Sequence, residues 1–215
     1  MAADLGTDVR PAAAGDRACA LGVWLASFAL YATTACRTVY VGDAPEIALA
    51  AATFGVPHPP GYPLHALLGG LFVRLVPAGD PALRANLFSA VAAATAAALV
   101  FLVGRRLGGT RAGAAVGAAS LALGLTFWSQ AVAAEVYAFD AMLFALAVLQ
   151  ALRVRAHPGA GGFALAGVCL GLLVGHRPIH LFALPGFVLV LEKARRAAAR
   201  PLADVRRAVL AAAAT

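Results

Sequence analysis

The sequence predicts an all-α fold, a polytopic membrane helix bundle of about six spans, and three observations carry that prediction. Hydrophobic residues make up 62% of the 215 and charged residues only 13%, where soluble domains run near a quarter charged. Mean hydropathy is +0.84. The apolar residues gather in runs of about 14 to 22, the length a helix needs to cross a bilayer at 1.5 Å per residue. The arginines sit in short clusters between those runs, as the positive-inside rule requires. That placement accounts for the net charge of +7 and argues against nucleic acid as a partner. The lipid bilayer is the expected surrounding instead.

Residues 1–17 form a tail with acidic and basic groups, and no small-residue cleavage site follows, so the first span, 18–39, is expected to be an uncleaved anchor. An outer loop then covers 40–82 and carries a short apolar stretch from Leu64 to Val76 with His65 and Arg74. Thirteen residues cross a bilayer poorly, so this stretch is expected to lie at the interface or pack on the bundle. Asp80-Pro81 opens the second span, 83–103, which ends at Arg105 and Arg106. The third is 112–130 and the fourth 137–152, stopping at Arg153 and Arg155.

The region 163–191 admits one long kinked helix or two short ones, 163–175 and 179–191, hinged at His176-Arg177-Pro178. Charge decides for the hairpin. It puts all of the 17 Lys and Arg residues except Arg37, Arg74, Arg84 and Arg177 on one side, with the N-terminus in the cytoplasm. The basic segment 192–215 falls on that side too, as the possible start of a further span. The expected location is multi-pass in a membrane, the inner one if the source is bacterial.

Glycines four apart, Gly113 and Gly117 and then Gly167, Gly171 and Gly175, suggest ridges for close helix approach. The alanines at 92–98 read as low complexity. Cys19, Cys36 and Cys169 lie in or beside apolar runs without a Cys-x-x-Cys pair, and read as small hydrophobic fillers. Tyr40, Tyr62, Trp128 and Tyr137 fall near the outer interface, where amphipathic rings settle.

The same topology gathers Asp43, Glu46, His58, His65, Glu135, Asp140, His176, Arg177 and His180 near the outer face, a convergence that was not an input to the span assignment. Each has a bland reading beside a chemical one. Asp43-Ala-Pro-Glu46 is an Asp-x-x-Glu capping box with proline in the first turn, yet an exposed carboxylate there can also accept a proton. Pro57-His58-Pro59-Pro60-Gly61-Tyr62-Pro63 is a rigid spacer, or a preorganised wall aiming His58 and Tyr62 at a substrate. Glu135 sits at a span end, where a charge is cheap, and Asp140 one turn deeper, where a partner is expected. His176-Arg177 either snorkels to headgroups or binds phosphate.

In order, Gly-Asp-Ala-Pro-Glu, Pro-His-Pro-Pro-Gly-Tyr-Pro, Phe-Trp-Ser-Gln with Ala134-Glu135-Val136-Tyr137, and Gly175-His176 resemble a family formerly of unknown function. Its animal members are transmembrane protein O-mannosyltransferases, and it is similar to the GT-C class of integral membrane glycosyltransferases. The likeness covers about 39–191 and implies a GT-C-like N-terminal module, either a fragment of a longer transferase or a half whose partner is another chain. It implies transfer of a mannose-like sugar from a polyprenyl-phosphate donor to a protein or glycan hydroxyl on the outer face, with inversion. Asp43 matches the catalytic base and Glu135 the acid of the second outer loop. Glu46 would support them, and His58, Tyr62, His176 and Arg177 would hold substrate or phosphate. Better-known protein O-mannosyltransferases carry adjacent Asp-Glu, whereas Asp43 and Glu46 stand three apart. No cofactor is expected, and a divalent metal is left open. A transporter or flippase, or a non-catalytic scaffold, are the competing readings.

Overall fold

A computed structural model describes residues 13–213, with side chains described to residue 199 except at Ala14. Most of the predicted 1–17 tail, and the side chains of the basic segment beyond Ala199, lie outside the described residues. Nine α-helices and one 3₁₀ turn are described, with no strand among those residues: α1 Ala14–Thr34, α2 Ala44–Thr53, α3 Pro63–Leu75, α4 Pro81–Arg106, α5 Arg111–Leu123, α6 Leu125–Ala131, α7 Tyr137–Ala156, α8 Ala160–His176, the 3₁₀ turn Pro178–Ala183, and α9 Leu184–Ala213. The all-α expectation therefore stands. By length and composition α4 and α7 can each cross a membrane, and α5 with α6 makes a third if the bent pair is one span. Helix α1, at the expected first span, is 21 residues long, and α8 is a shorter apolar helix.

Helix α4 is the hub, packing against α1, α2, α3, α5, α6 and α7. That position explains its composition. Ala90, Ala92, Ala93, Ala94, Ala96 and Ala97 are all buried, because a helix with neighbours on every side accommodates them only if its side chains are small. The alanine run is thus packing surface, a correction to its reading as low complexity. The glycine pairs do the reverse. A Cβ on Gly117, Gly167, Gly171 or Gly175 would meet nothing within 4 Å, so neither proposed ridge packs against a helix among the described residues.

The expected third span is broken at Gly124, where α5 and α6 meet at 66°. A break strands carbonyls that a continuous helix would have used. Tyr31, wholly buried, donates its hydroxyl to one of them, the Ala122 carbonyl, at 2.8 Å. The hinge expected at His176-Arg177-Pro178 is present, with the sixth predicted segment beginning as the 3₁₀ turn before α9.

The two ends of the bundle differ in charge. At one end Asp16, 2% exposed, accepts from Arg105 Nε and Arg111 Nε, each at 2.9 Å. Arg17 and Arg153 lie near enough to Arg106 to act on it electrostatically. The start of α1, the α4–α5 turn and the end of α7 therefore share an end, as the positive-inside argument anticipated. Three of the four exceptions to that argument, Arg74, Arg84 and Arg177, have structural employment. Arg74 donates to the Ala51 and Ala52 carbonyls at 3.2 and 3.0 Å, closing the end of α2. Arg84 donates to the carbonyls of Val73, in the last turn of α3, and of Ala78 and Gly79 after it. Arg177 pairs with Asp140.

Candidate functional site

The opposite end holds the acids and histidines, and α2, α3 and two loops position them. Helix α3 packs on the bundle, against α2, α4 and α8, the second of the two placements expected for residues 64–76. It is braced by Gly70, where a Cβ would lie 2.5 Å from the Phe54 ring. Phe54 ends α2 in the left-handed region at φ 53°, with the Arg74 guanidinium 3.8 Å above its ring centre.

Asp43 precedes α2 but does not cap it. Its backbone is already helical (φ −83°, ψ −12°), and no backbone N–H reaches its carboxylate. Only its carbonyl joins the helix, accepting from Ile47 N at 3.0 Å. The capping box is therefore corrected: helical φ/ψ at this position turns the carboxylate away from the first-turn amides that an extended cap residue would serve. Glu46, the other half of the box, reaches across twelve residues instead. Its carboxylate accepts from the His58 backbone N–H at 2.6 Å and meets His58 Nδ1 at 2.8 Å.

Two contacts from one carboxylate fix both the chain and the ring of His58. Nε2 is left facing Asp43 Oδ2 at 3.9 Å and the Tyr62 hydroxyl at 3.5 Å. The Glu46 hydrogen bond raises the His58 pKa above its ordinary value, with the charges of Asp43 and Glu135 adding to it. The same bond lowers the Glu46 pKa. The proline segment supplies the rigidity, including a cis bond at Pro59–Pro60. Gly61 at φ 86° and Tyr62 at φ 42° then reverse the chain. A tyrosine in the left-handed region is sparsely populated and persists where the surroundings over-determine it. Here Tyr62 is buried between His58 and His176, with ring centres 5.5 and 5.6 Å away. It is an inner wall of the site, a correction to its placement at the membrane interface; Tyr40 and Tyr137 are exposed.

Glu135 arrives from the loop between α6 and α7. Burial raises its pKa, the charge of Asp43 raises it further, and His58 opposes both. Asp43, His58 and Glu135 thus share one electrostatic neighbourhood. Ser89 on α4, 1% exposed, anchors this loop: its hydroxyl accepts from Glu135 N and donates to Glu135 O, both at 3.2 Å. Asn86, one turn earlier and equally buried, donates to the carbonyls of Cys36 at 2.7 Å and Thr38 at 3.0 Å, tethering the chain where it leaves α1. Neither anchor was foreseen. A lone Asn or Ser in an apolar span carries no spacing signal of its own, although a buried polar group always demands partners.

Asp140 has the partners its depth called for. It accepts from Arg177 Nη1 at 3.2 Å and meets His180 Nε2 at 2.6 Å. The Arg177 guanidinium also lies 5.0 Å over the Tyr137 ring and is close enough to act on Tyr62. His176 is completely buried, its Nε2 4.0 Å from Asp140 Oδ1. His65, 3% exposed, stacks on it with ring centres 6.3 Å apart. All seven residues singled out for the site, Asp43, Glu46, Glu135, His58, Tyr62, His176 and Arg177, therefore lie at one end, with Tyr62 between His58 and His176. Among the described residues no three His, Cys, Asp or Glu side chains form a group poised to hold a metal ion.

Comparison with known proteins fits this arrangement. Residues 43–198 match the model of the protein O-mannosyl-transferase TMEM260 N-terminal domain, a stretch that begins at Asp43. The protein O-mannosyl-transferase TMEM260 of Mus musculus is 37% identical over 135 residues, 63% of this chain and 19% of the mouse protein. Protein O-mannosyl-transferase tmem260 of Dictyostelium discoideum is 40% identical over 60 residues, 28% of this chain and 7% of that protein. The chain spans less than a fifth of the length of either relative by these matches. No solved structure matches it. The chain belongs to the family described as the protein O-mannosyl-transferase TMEM260 N-terminal domain.

Proposed function

We propose that this chain is the catalytic N-terminal part of a GT-C-type membrane glycosyltransferase, moving a mannose-like sugar from a polyprenyl-phosphate donor to a protein hydroxyl, with Asp43 as general base. One observation carries the reading: Asp43, whose side chain is 58% exposed, makes no capping bond and stands beside a histidine that Glu46 orients. A carboxylate at a helix start that does not serve the helix is free to accept a proton.

In the proposed reaction the acceptor oxygen bonds to the anomeric carbon as the carbon–oxygen bond to the lipid phosphate breaks on the opposite face, inverting the centre. The proton of the acceptor hydroxyl goes to Asp43, and the bonding pair leaves with the phosphate. Phosphate is already a weak base, so no second carboxylate has to protonate it, unlike glycoside hydrolysis. His58, held toward its charged form by Glu46, and Arg177 are the cations that would balance the charge developing on the departing oxygen. Glu135, whose environment favours its neutral form, is suited to a hydrogen bond with a sugar hydroxyl.

Positioned base catalysis contributes on the order of 10²–10⁴-fold. Asp43→Asn should therefore lower sugar transfer at least about a hundredfold while the melting temperature stays nearly unchanged, since the side chain is exposed and caps no helix. The assay is transfer of radiolabelled mannose from a polyprenyl-phosphate donor to an acceptor peptide. Transfer at the wild-type rate would remove Asp43 from the mechanism, and solute uptake into proteoliposomes without glycosylation would favour a transporter.

A further inference from the structure

An apolar groove of about 310 Å³ lies between α7 and the 3₁₀–α9 segment, in the volume range of small-molecule sites. Phe144, Val148 and Leu152 on α7 face Gly186, Phe187 and Val190 on α9 across it. The α7 residues repeat every four positions, so the groove follows the helix for about 12 Å at 1.5 Å per residue. Its lining is hydrocarbon throughout. An apolar trough alone names no occupant, but the charge at its upper end does. Phe144, the first residue along it, has its ring 5.8 Å from that of His180, and Asp140 stands one helical turn before Phe144. Ala183, which also lines the groove, closes the same 3₁₀ turn that carries His180.

The groove therefore opens directly beneath the Asp140–Arg177–His180 cluster. Asp140 holds both Arg177 and His180 in place, and Arg177 commits Nη1 to it out of a five-donor planar fork suited to phosphate. A ligand with a phosphate head and a hydrocarbon tail matches both halves of this surface at once.

We propose that the α7–α9 groove seats the hydrocarbon tail of the polyprenyl-phosphate donor, with its phosphate facing Arg177 and His180. This rests on the donor chemistry of the function proposed above and adds where that donor lies. Tyr62 meets His58 at 3.5 Å and feels the Arg177 charge, so a phosphate beside Arg177 would lie in the same neighbourhood as the His58–Asp43 pair.

Gly186 provides the test, because a Cβ there would meet nothing within 4 Å. Gly186→Leu fills the groove without moving the backbone, and replacing glycine within a helix does not weaken the helix. The full chain, in lipid nanodiscs, is photolabelled with a polyprenyl phosphate carrying a diazirine in its first isoprene units, and the adducts are mapped by mass spectrometry. Adducts are expected on the facing residues of α7 and α9. Unlabelled polyprenyl phosphate should compete them away, and phosphatidylglycerol should not. In Gly186→Leu, labelling should fall roughly tenfold, as for two methylenes of chain denied burial. The KM for donor should rise while kcat holds. Adducts elsewhere, equal competition by phosphatidylglycerol, or labelling unchanged in Gly186→Leu would overturn the assignment. Photolabelling needs no turnover, so it fails or succeeds independently of sugar transfer and of the role of Asp43.

Discussion

Ser89→Ala isolates the link between the bundle and the acid loop. The change removes one hydroxyl from a buried position on α4 and with it the two hydrogen bonds that hold Glu135 N and Glu135 O. Each such bond contributes about 0.5–1.5 kcal/mol net, and at 3.2 Å both belong in the lower half of that range. The gain in helix propensity from serine to alanine returns at most about 0.5 kcal/mol. The expected loss is therefore about 1 kcal/mol of stability, read as a lower midpoint in a denaturation series in detergent. The effect on the site should be larger than on the fold. Released from Ser89, the 132–136 loop no longer fixes Glu135 beside Asp43 and His58, and the proposed sugar transfer should fall about tenfold, the equivalent of 1.4 kcal/mol in the transition state. Ser89→Cys, which keeps a weak donor and acceptor at that position, should fall between wild type and alanine. Unchanged stability together with unchanged transfer in Ser89→Ala would refute the idea that α4 positions the loop.

Glu46→Gln should move the His58 imidazole titration, followed by NMR, to lower pH, because the hydrogen bond to Glu46 is the largest influence raising it. The sign for stability follows from both partners. The Glu46 contribution is lost as pH falls through its lowered pKa, and the His58 contribution is lost as pH rises through its raised one. The pair therefore stabilises the loop only between those two values, and Glu46→Gln should flatten that optimum in a melting-temperature series against pH. Gly70→Ala should destabilise by about 1–3 kcal/mol, as overpacking does, since its Cβ would enter the Phe54 ring pinned under Arg74. Gly171→Ala, with open space around it, should cost nothing, and a thermal melt of the two variants side by side distinguishes them.

Much of the site was legible before any coordinates because its signals are local. Charged and rigid residues stand out in an apolar chain, and hydropathy with the positive-inside rule sorts them to one end. Asp140 illustrates the reach of that reasoning: its depth demanded a partner, and Arg177 and His180 supply it. Asp43 and Glu46 show its limit. The pattern Asp-x-x-Glu names a capping box, yet Glu46 turned to a loop twelve residues on that came within reach, and the helical backbone of Asp43 left its carboxylate without a first-turn amide. Composition likewise misjudged the glycines and the alanines of α4, since whether a small residue is a ridge or filler depends on what lies opposite.

By itself the sequence determined that this protein is helical and apolar, and which end carries most of the arginine and which carries acids and histidines. Those properties depend on residues near one another in the chain. The tertiary structure alone decided which partner each polar side chain takes: His58 for Glu46, Glu135 for Ser89, Cys36 and Thr38 for Asn86. Hydrogen bonds act over about 3 Å, so such choices exist only once distant segments have been packed together.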